Sequence, residues 1–176
     1  MLPVADTSDP TQWSSADHHL CREGNYCDNS QSVVENECPE GTYMPRLGAT
    51  ASGDCVPCPG GYMCPRNSAG SPQTGAITPD ACSTGKYCES GSLGDDGTCG
   101  GTDTCPTECT AGNYCPTKAP AEIPCQYGYY TGTTGQTICL ECTAGTFCDN
   151  TGFSSPSSCT TGYVCPAGSA IEETCQ

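Results

Sequence analysis

The chain has 176 residues, 19 of them cysteine, and a formal net charge of −15, with Arg22, Arg46, Arg66, Lys86 and Lys118 as its cations. Such an acidic chain repels phosphate-rich partners, which argues against nucleic acid, and no run approaches the roughly 20 apolar residues of a membrane span. Leu, Ile, Val and Phe supply only 16 residues, too few for an ordinary core. The cysteines therefore point to a disulfide scaffold in an oxidising place: secreted, on a cell surface or within the secretory pathway.

Residues 1–20 carry no cysteine but hold Leu2, Val4, Trp13 and Leu20. With no basic start and no apolar run they do not read as a secretory signal. They read as an N-terminal leader, or as an arm docking on a neighbouring subunit with Trp13 as its anchor, because aromatic residues are enriched at interfaces. His18 and His19 are adjacent, so an extended backbone turns them to opposite sides and they make a poor metal pair.

From Cys21 onward one cysteine spacing is written twice. The first block, residues 21–108, has cysteines at 21, 27, 38, 55, 58, 64, 82, 88 and 99. The second, residues 109–176, repeats them at 109, 115, 125, 139, 142, 148, 159, 165 and 175 with shorter loops. Cys105 lacks a counterpart, and the odd count reads as an array cut from a longer one. Most pieces open with Cys-x-x-Gly-x-aromatic, as in CREGNYC from Cys21 and CTAGTFC from Cys142, which puts glycines at 24, 41, 61, 85, 112, 128, 145 and 162. A glycine fixed at that place implies positive φ, or a close approach that a side chain would block. The following ring is placed to cover the adjacent disulfide. Counting Cys99 as a degenerate start and Cys175 as a truncated one gives ten modules whose starts lie 10 to 24 residues apart. Units this small must be closed covalently and stacked. The fold expected is a small disulfide-rich rod of tandem cysteine-rich modules, with short β-hairpins and little or no helix beyond a short turn near Gln31 to Glu37.

Each module owns two cysteines, usually six residues apart. In the modules opening at Cys38 and Cys125 the sixth place holds Met44 or Thr131, and the second cysteine comes later, at Cys55 or Cys139. Cys38 with Cys55 and Cys125 with Cys139 are thus the firmest pairs. For the others two schemes stay open. Each Cys-x5-Cys closes on itself, leaving Cys175 over; or the bonds nest as Cys58 to Cys82, Cys64 to Cys88, Cys99 to Cys109, Cys105 to Cys115, Cys142 to Cys159 and Cys148 to Cys165. Nesting leaves Cys21, Cys27 and Cys175 for inter-subunit bonds. Geometry favours nesting if Gly-x-Tyr is extended, because six residues at about 3.3 Å each reach near 20 Å, beyond the usual bridge distance. Self-closure requires a sharp turn at the glycine.

The C-x-x-G-x-Y unit, followed by C-x2-C opening the next C-x-x-G, resembles the ephrin-receptor-like cysteine-rich repeat, most clearly over Cys38 to Cys64 and Cys125 to Cys148. Long tandem arrays of this kind are similar to those of protist cysteine repeat modular surface proteins and flagellar-hair (mastigoneme) subunits. The resemblance implies extracellular spacers or interaction surfaces and no catalytic residues. Thr102, in the glycine's place after Cys99, and the first 20 residues depart from it.

Metal binding fits poorly, since only Cys55 with Cys58 and Cys139 with Cys142 are C-x2-C and their surroundings repeat no zinc spacing. Asp95, Asp96 and Glu89 do not form an EF-hand-type loop, and no nucleophile–base constellation is present. No catalytic, cofactor or metal residue is expected. Loop Ser and Thr are compositional candidates for O-linked sugars. The expectation is a non-catalytic structural building block or stalk of an extracellular assembly or filament, self-associating or joined to other extracellular structural proteins. The alternative is a ligand-binding or adhesive cell-surface ectodomain, which a patch of exposed aromatics would favour.

Overall fold

The computed structural model describes residues 20–28, 34–64, 75–93 and 105–175. Sixteen two-residue strands, paired two by two into eight antiparallel hairpins, make up its regular structure. They are β1 Asn25–Tyr26 with β2 Asn36–Glu37, β3 Thr42–Tyr43 with β4 Val56–Pro57, β5 Tyr62–Met63 with β6 Asp80–Ala81, and β7 Lys86–Tyr87 with β8 Thr107–Glu108. The second half continues with β9 Asn113–Tyr114 and β10 Ile123–Pro124, β11 Tyr129–Tyr130 and β12 Leu140–Glu141, β13 Thr146–Phe147 and β14 Ser157–Ser158, and β15 Tyr163–Val164 and β16 Glu173–Thr174. One short 3-10 turn, Ser52–Asp54, is the only helical element among the described residues. Asn36–Glu37 is strand, so no helical turn runs through to Glu37.

Each hairpin starts just after a Cys-x-x-Gly and ends just before the next module's first cysteine. Modules 1 to 8 thus open at Cys21, Cys38, Cys58, Cys82, Cys109, Cys125, Cys142 and Cys159. Eight of the ten expected modules are thus hairpins among the described residues. The β7–β8 hairpin encloses the Cys99 position in sequence, and residues 94–104, where the degenerate module was expected to open, lie outside the described residues.

The Cys-x-x-Gly itself is a tight turn. The N–H of the residue after the glycine donates to the carbonyl of the residue after the cysteine, as Asn113 does to Thr110 (3.0 Å) and Tyr129 to Gln126 (3.0 Å). All eight turn glycines have φ between 73° and 93°, which the third residue of a type II turn requires. That turn folds the segment back, so cysteines six residues apart have Cα atoms only 5.9–6.4 Å apart. The bonds are Cys21–Cys27, Cys58–Cys64, Cys82–Cys88, Cys109–Cys115, Cys142–Cys148 and Cys159–Cys165.

The nested scheme is therefore corrected. Cys58 does not reach Cys82, nor Cys64 Cys88, Cys142 Cys159 or Cys148 Cys165, because each is bonded within its own module. Since Cys109 and Cys115 hold each other, neither Cys99 to Cys109 nor Cys105 to Cys115 forms; Cys105 is disulfide-bonded, and Cys99 lies outside the described residues. Cys21 and Cys27 likewise close on each other and are not available to another subunit. An extended Gly-x-Tyr segment was the wrong premise. Modules 2 and 6 bond Cys38 to Cys55 and Cys125 to Cys139, with Cα separations of 5.8 and 5.7 Å. Cys175 is a free, exposed thiol. Trp13 lies outside the described residues.

The core is a string of small clusters, each centred on sulfur. Tyr26 of module 1 packs on Cys38, Met44, Ala49 and Cys55 of module 2. Tyr43 of module 2 joins Tyr62 against Cys58, Cys64 and Ala76 of module 3, and Tyr87 of module 4 covers Cys109, Cys115 and Ala119 of module 5. Most of these rings thus cover the next module's disulfide more than their own, which makes them the mortar between units. Chain-entropy arithmetic gives about 2.4 kcal/mol for a seven-residue loop, both cysteines counted, and about 3 kcal/mol for the longer loops of modules 2 and 6. Covalent closure is thus of the size needed where the apolar core is this small.

Candidate functional site: the module interface

Successive modules are joined by a backbone ladder with a recurring set of rungs. Between modules 5 and 6, the Cys125 N–H donates to the Gly112 carbonyl (2.9 Å), the Gly112 N–H to the Thr131 carbonyl (2.9 Å), the Cys115 N–H to Gln136 (2.8 Å) and the Gly135 N–H to Cys109 (2.8 Å). The first and third rungs recur at all seven interfaces, for example as Cys159 N–H to Gly145 and Cys148 N–H to Ser169. A ladder of backbone groups tolerates almost any outward side chain, so the loops vary while the stack persists.

Two further regularities emerge that the sequence reading missed. The first is a second glycine, three or four residues beyond the sixth place, at Gly48, Gly91, Gly135, Gly152 and Gly168, each with φ of 69° to 82°. In module 5 that place is held by Lys118, which keeps the glycine conformation at φ 64° and is the one non-glycine with positive φ among the described residues. Its N–H still makes the rung to the Cys82 carbonyl (3.2 Å). The carbonyl at this place reaches back two modules. A Cβ on Gly61 would lie 2.3 Å from the Lys118 oxygen, one on Gly85 2.3 Å from that of Gly135, and one on Gly128 2.3 Å from that of Gly168. Positive φ and close approach, expected as alternatives, both hold at these turn glycines. The only signal was the second glycine's recurrence, blurred by its uneven spacing.

The second regularity lies three residues before each next module's first cysteine, where Glu35, Cys55, Pro79, Pro106, Glu122, Cys139, Pro156 and Glu172 stand. Where this residue is cysteine, it bonds the module's first cysteine. Where it is glutamate, its carboxylate accepts the N–H beside that cysteine: Arg22 to Glu35 (3.0 Å), Thr110 to Glu122 (3.0 Å), and Thr160 to Glu172. Glu35 also holds the Arg22 guanidinium at 2.6 Å. The carboxylate is a non-covalent clasp at a place where a disulfide can stand. Cys159, Cys165 and Glu172 lie close enough together to suggest a metal site, but the two sulfurs are bonded to each other and Glu172 is the clasp of module 8.

Outward from the ladder, the residue after the turn glycine is tyrosine in modules 3, 6 and 8: Tyr62, Tyr129 and Tyr163. The Lys118 ammonium lies over the Tyr62 ring, 5.2 Å from its centroid, which joins module 3 to module 5. Tyr129 stands opposite Glu141 in the β11–β12 register and is 41% exposed. Module 6 also exposes Tyr127 (58%), Ile138 (64%) and Leu140 (51%). In the 3-10 turn, the Asp54 carboxylate accepts the N–H groups of Thr50 (2.7 Å) and Ala51 (3.1 Å) and the Thr50 hydroxyl. These bonds hold it below the ordinary carboxylate range, with a smaller contribution from Arg46. No helix among the described residues is long and apolar enough to cross a membrane.

No protein-family model and no curated protein matches the chain.

Proposed function

We propose that the chain is a non-catalytic structural building block or stalk of an extracellular assembly or filament. The observation that carries this reading is the single backbone ladder repeated across all seven module interfaces. Such a stack spans distance with nearest- and second-neighbour contacts while leaving its loops free to vary. Eight disulfides among the described residues need an oxidising compartment, which supports an extracellular place. Electron microscopy of native material tests the reading: filaments with a regular axial repeat are expected, and isolated particles that never assemble would overturn the filament role. The second reading, an adhesive or ligand-binding ectodomain, draws on the exposed apolar side chains of module 6.

A further inference from the structure

The fold builds one cation seat for itself. In modules 3 and 5, the tyrosine after a turn glycine (Tyr62) receives the ammonium of a residue two modules ahead (Lys118), whose own carbonyl faces that turn glycine. Modules 6 and 8 repeat the same backbone relation, with Tyr129 after Gly128 and Gly168 in the place of Lys118. Here the cation is missing and an anion has been added. Tyr129 faces Glu141 across the hairpin, and a Cβ on Gly168 would lie 2.7 Å from the Glu141 carboxylate oxygen. Where Lys118 would send its side chain, module 8 thus has no side chain and the structure offers a ring and a carboxylate.

We infer that Tyr129, Glu141 and Gly168 form a recognition seat for a lysine or arginine side chain of a partner protein. This names the chemistry of a partner beyond the structural role proposed above. A ring face and a carboxylate on one side of a hairpin attract a cation by the ring quadrupole and by charge. A second copy is a poor source, since it carries a net charge of −15 and five cations, of which Arg22 is bound to Glu35 and Lys118 sits on Tyr62. The occupant is a basic segment of a different protein.

The test uses the oxidised 176-residue chain and two capped peptides, Gly-Arg-Gly and the same peptide with neutral citrulline for arginine, followed through the backbone amide resonances of the β11–β12 hairpin, which every variant keeps. The arginine peptide should shift them and bind about tenfold more tightly than the citrulline peptide. Y129S and E141Q should each remove most of that preference. G168K, which brings a lysine to the place it holds in module 5, should block the seat from within. The tyrosine and glutamate are exposed, so their variants should keep the amide protection of the Gly128 and Cys142 rungs. Equal binding of the two peptides, or an arginine preference that survives Y129S and E141Q in a chain with intact rungs, would overturn the seat. Either result leaves the filament question to microscopy of native material, which does not depend on this contact.

Discussion

The carbonyl oxygen of Gly152 lies 2.1 Å from where a Cβ on Gly112 would stand. One residue belongs to module 5 and the other to module 7, so the glycine of this turn serves a contact made by a module two places along, as do six of the eight turn glycines. Gly112 also has φ 90°. An alanine there is opposed twice, by the left-handed backbone and by the carbonyl of a residue whose N–H makes the rung to Cys125.

Gly162 separates those two effects. Its φ is 93°, but nothing lies within 4 Å of its would-be Cβ. Gly162→Ala should cost only the left-handed penalty of roughly 1–2 kcal/mol. Gly112→Ala should cost clearly more, because a backbone carbonyl cannot swing aside. Denaturant midpoints of the two oxidised variants decide it; equal losses would mean that the second-neighbour contact adds nothing to stability.

The turn was legible from Cys-x-x-Gly, and so were the two long-loop disulfides, because Met44 and Thr131 displaced a cysteine that had to reappear. What failed was the step from turn to bond. Treating Gly-x-Tyr as extended put Cys58 and Cys64 far apart, whereas positive φ at Gly61 folds the segment back on itself. The contact from Gly61 to Lys118 could not be read at all, since it depends on how modules two apart stack. The Tyr129 seat depends on that same stacking, so its parts looked like three unrelated loop residues.

Non-reducing tryptic mapping should show the pairing directly. Lys86 lies between Cys82 and Cys88, so self-closure keeps the fragment 67–86 joined to 87–118. The nested bonds would hold 47–66 to the same pair as well, through Cys58 to Cys82 and Cys64 to Cys88, whereas self-closure leaves 47–66 out of it. Mass spectrometry of the intact digest reads which partner leaves with it on reduction.

Lys118 should be replaceable by glycine but not by alanine. Lys118→Ala keeps the strained backbone at φ 64° and loses the contact over Tyr62, an exposed cation–π pair of about 0.5–1 kcal/mol. Lys118→Gly loses the same contact but relieves roughly 1–2 kcal/mol of left-handed strain, so it should match or exceed the parent. Thermal unfolding of the three oxidised proteins gives the order; alanine equal to glycine would mean that Lys118 carries no strain.

Asp54 should make stability acid-sensitive in one window. Its folded carboxylate is held below the ordinary range by the Thr50 and Ala51 N–H groups and the Thr50 hydroxyl. A depressed folded value means that the contribution is present above the unfolded value of about 4 and is lost as pH falls through the lower folded one. Asp54→Asn should therefore lie below the parent at pH 7, and the gap should close in strong acid. A gap that stays constant with pH would show that the amide serves as well as the carboxylate.

The glutamate clasp should be felt at one amide. Glu122 accepts the Thr110 N–H at 3.0 Å and the Thr110 hydroxyl at 2.9 Å, beside a Cys109 that is already bonded to Cys115. The disulfide holds the module closed without it, so Glu122→Ala should cost only about 0.5–1.5 kcal/mol, the net worth of a hydrogen bond. Hydrogen exchange resolves the effect better than global unfolding. The Thr110 amide should exchange faster in the variant while the Cys125 amide, on its rung to Gly112, keeps its rate. If both amides accelerate together, Glu122 holds the whole hairpin and stands closer to Cys139 in importance than its exposed setting suggests.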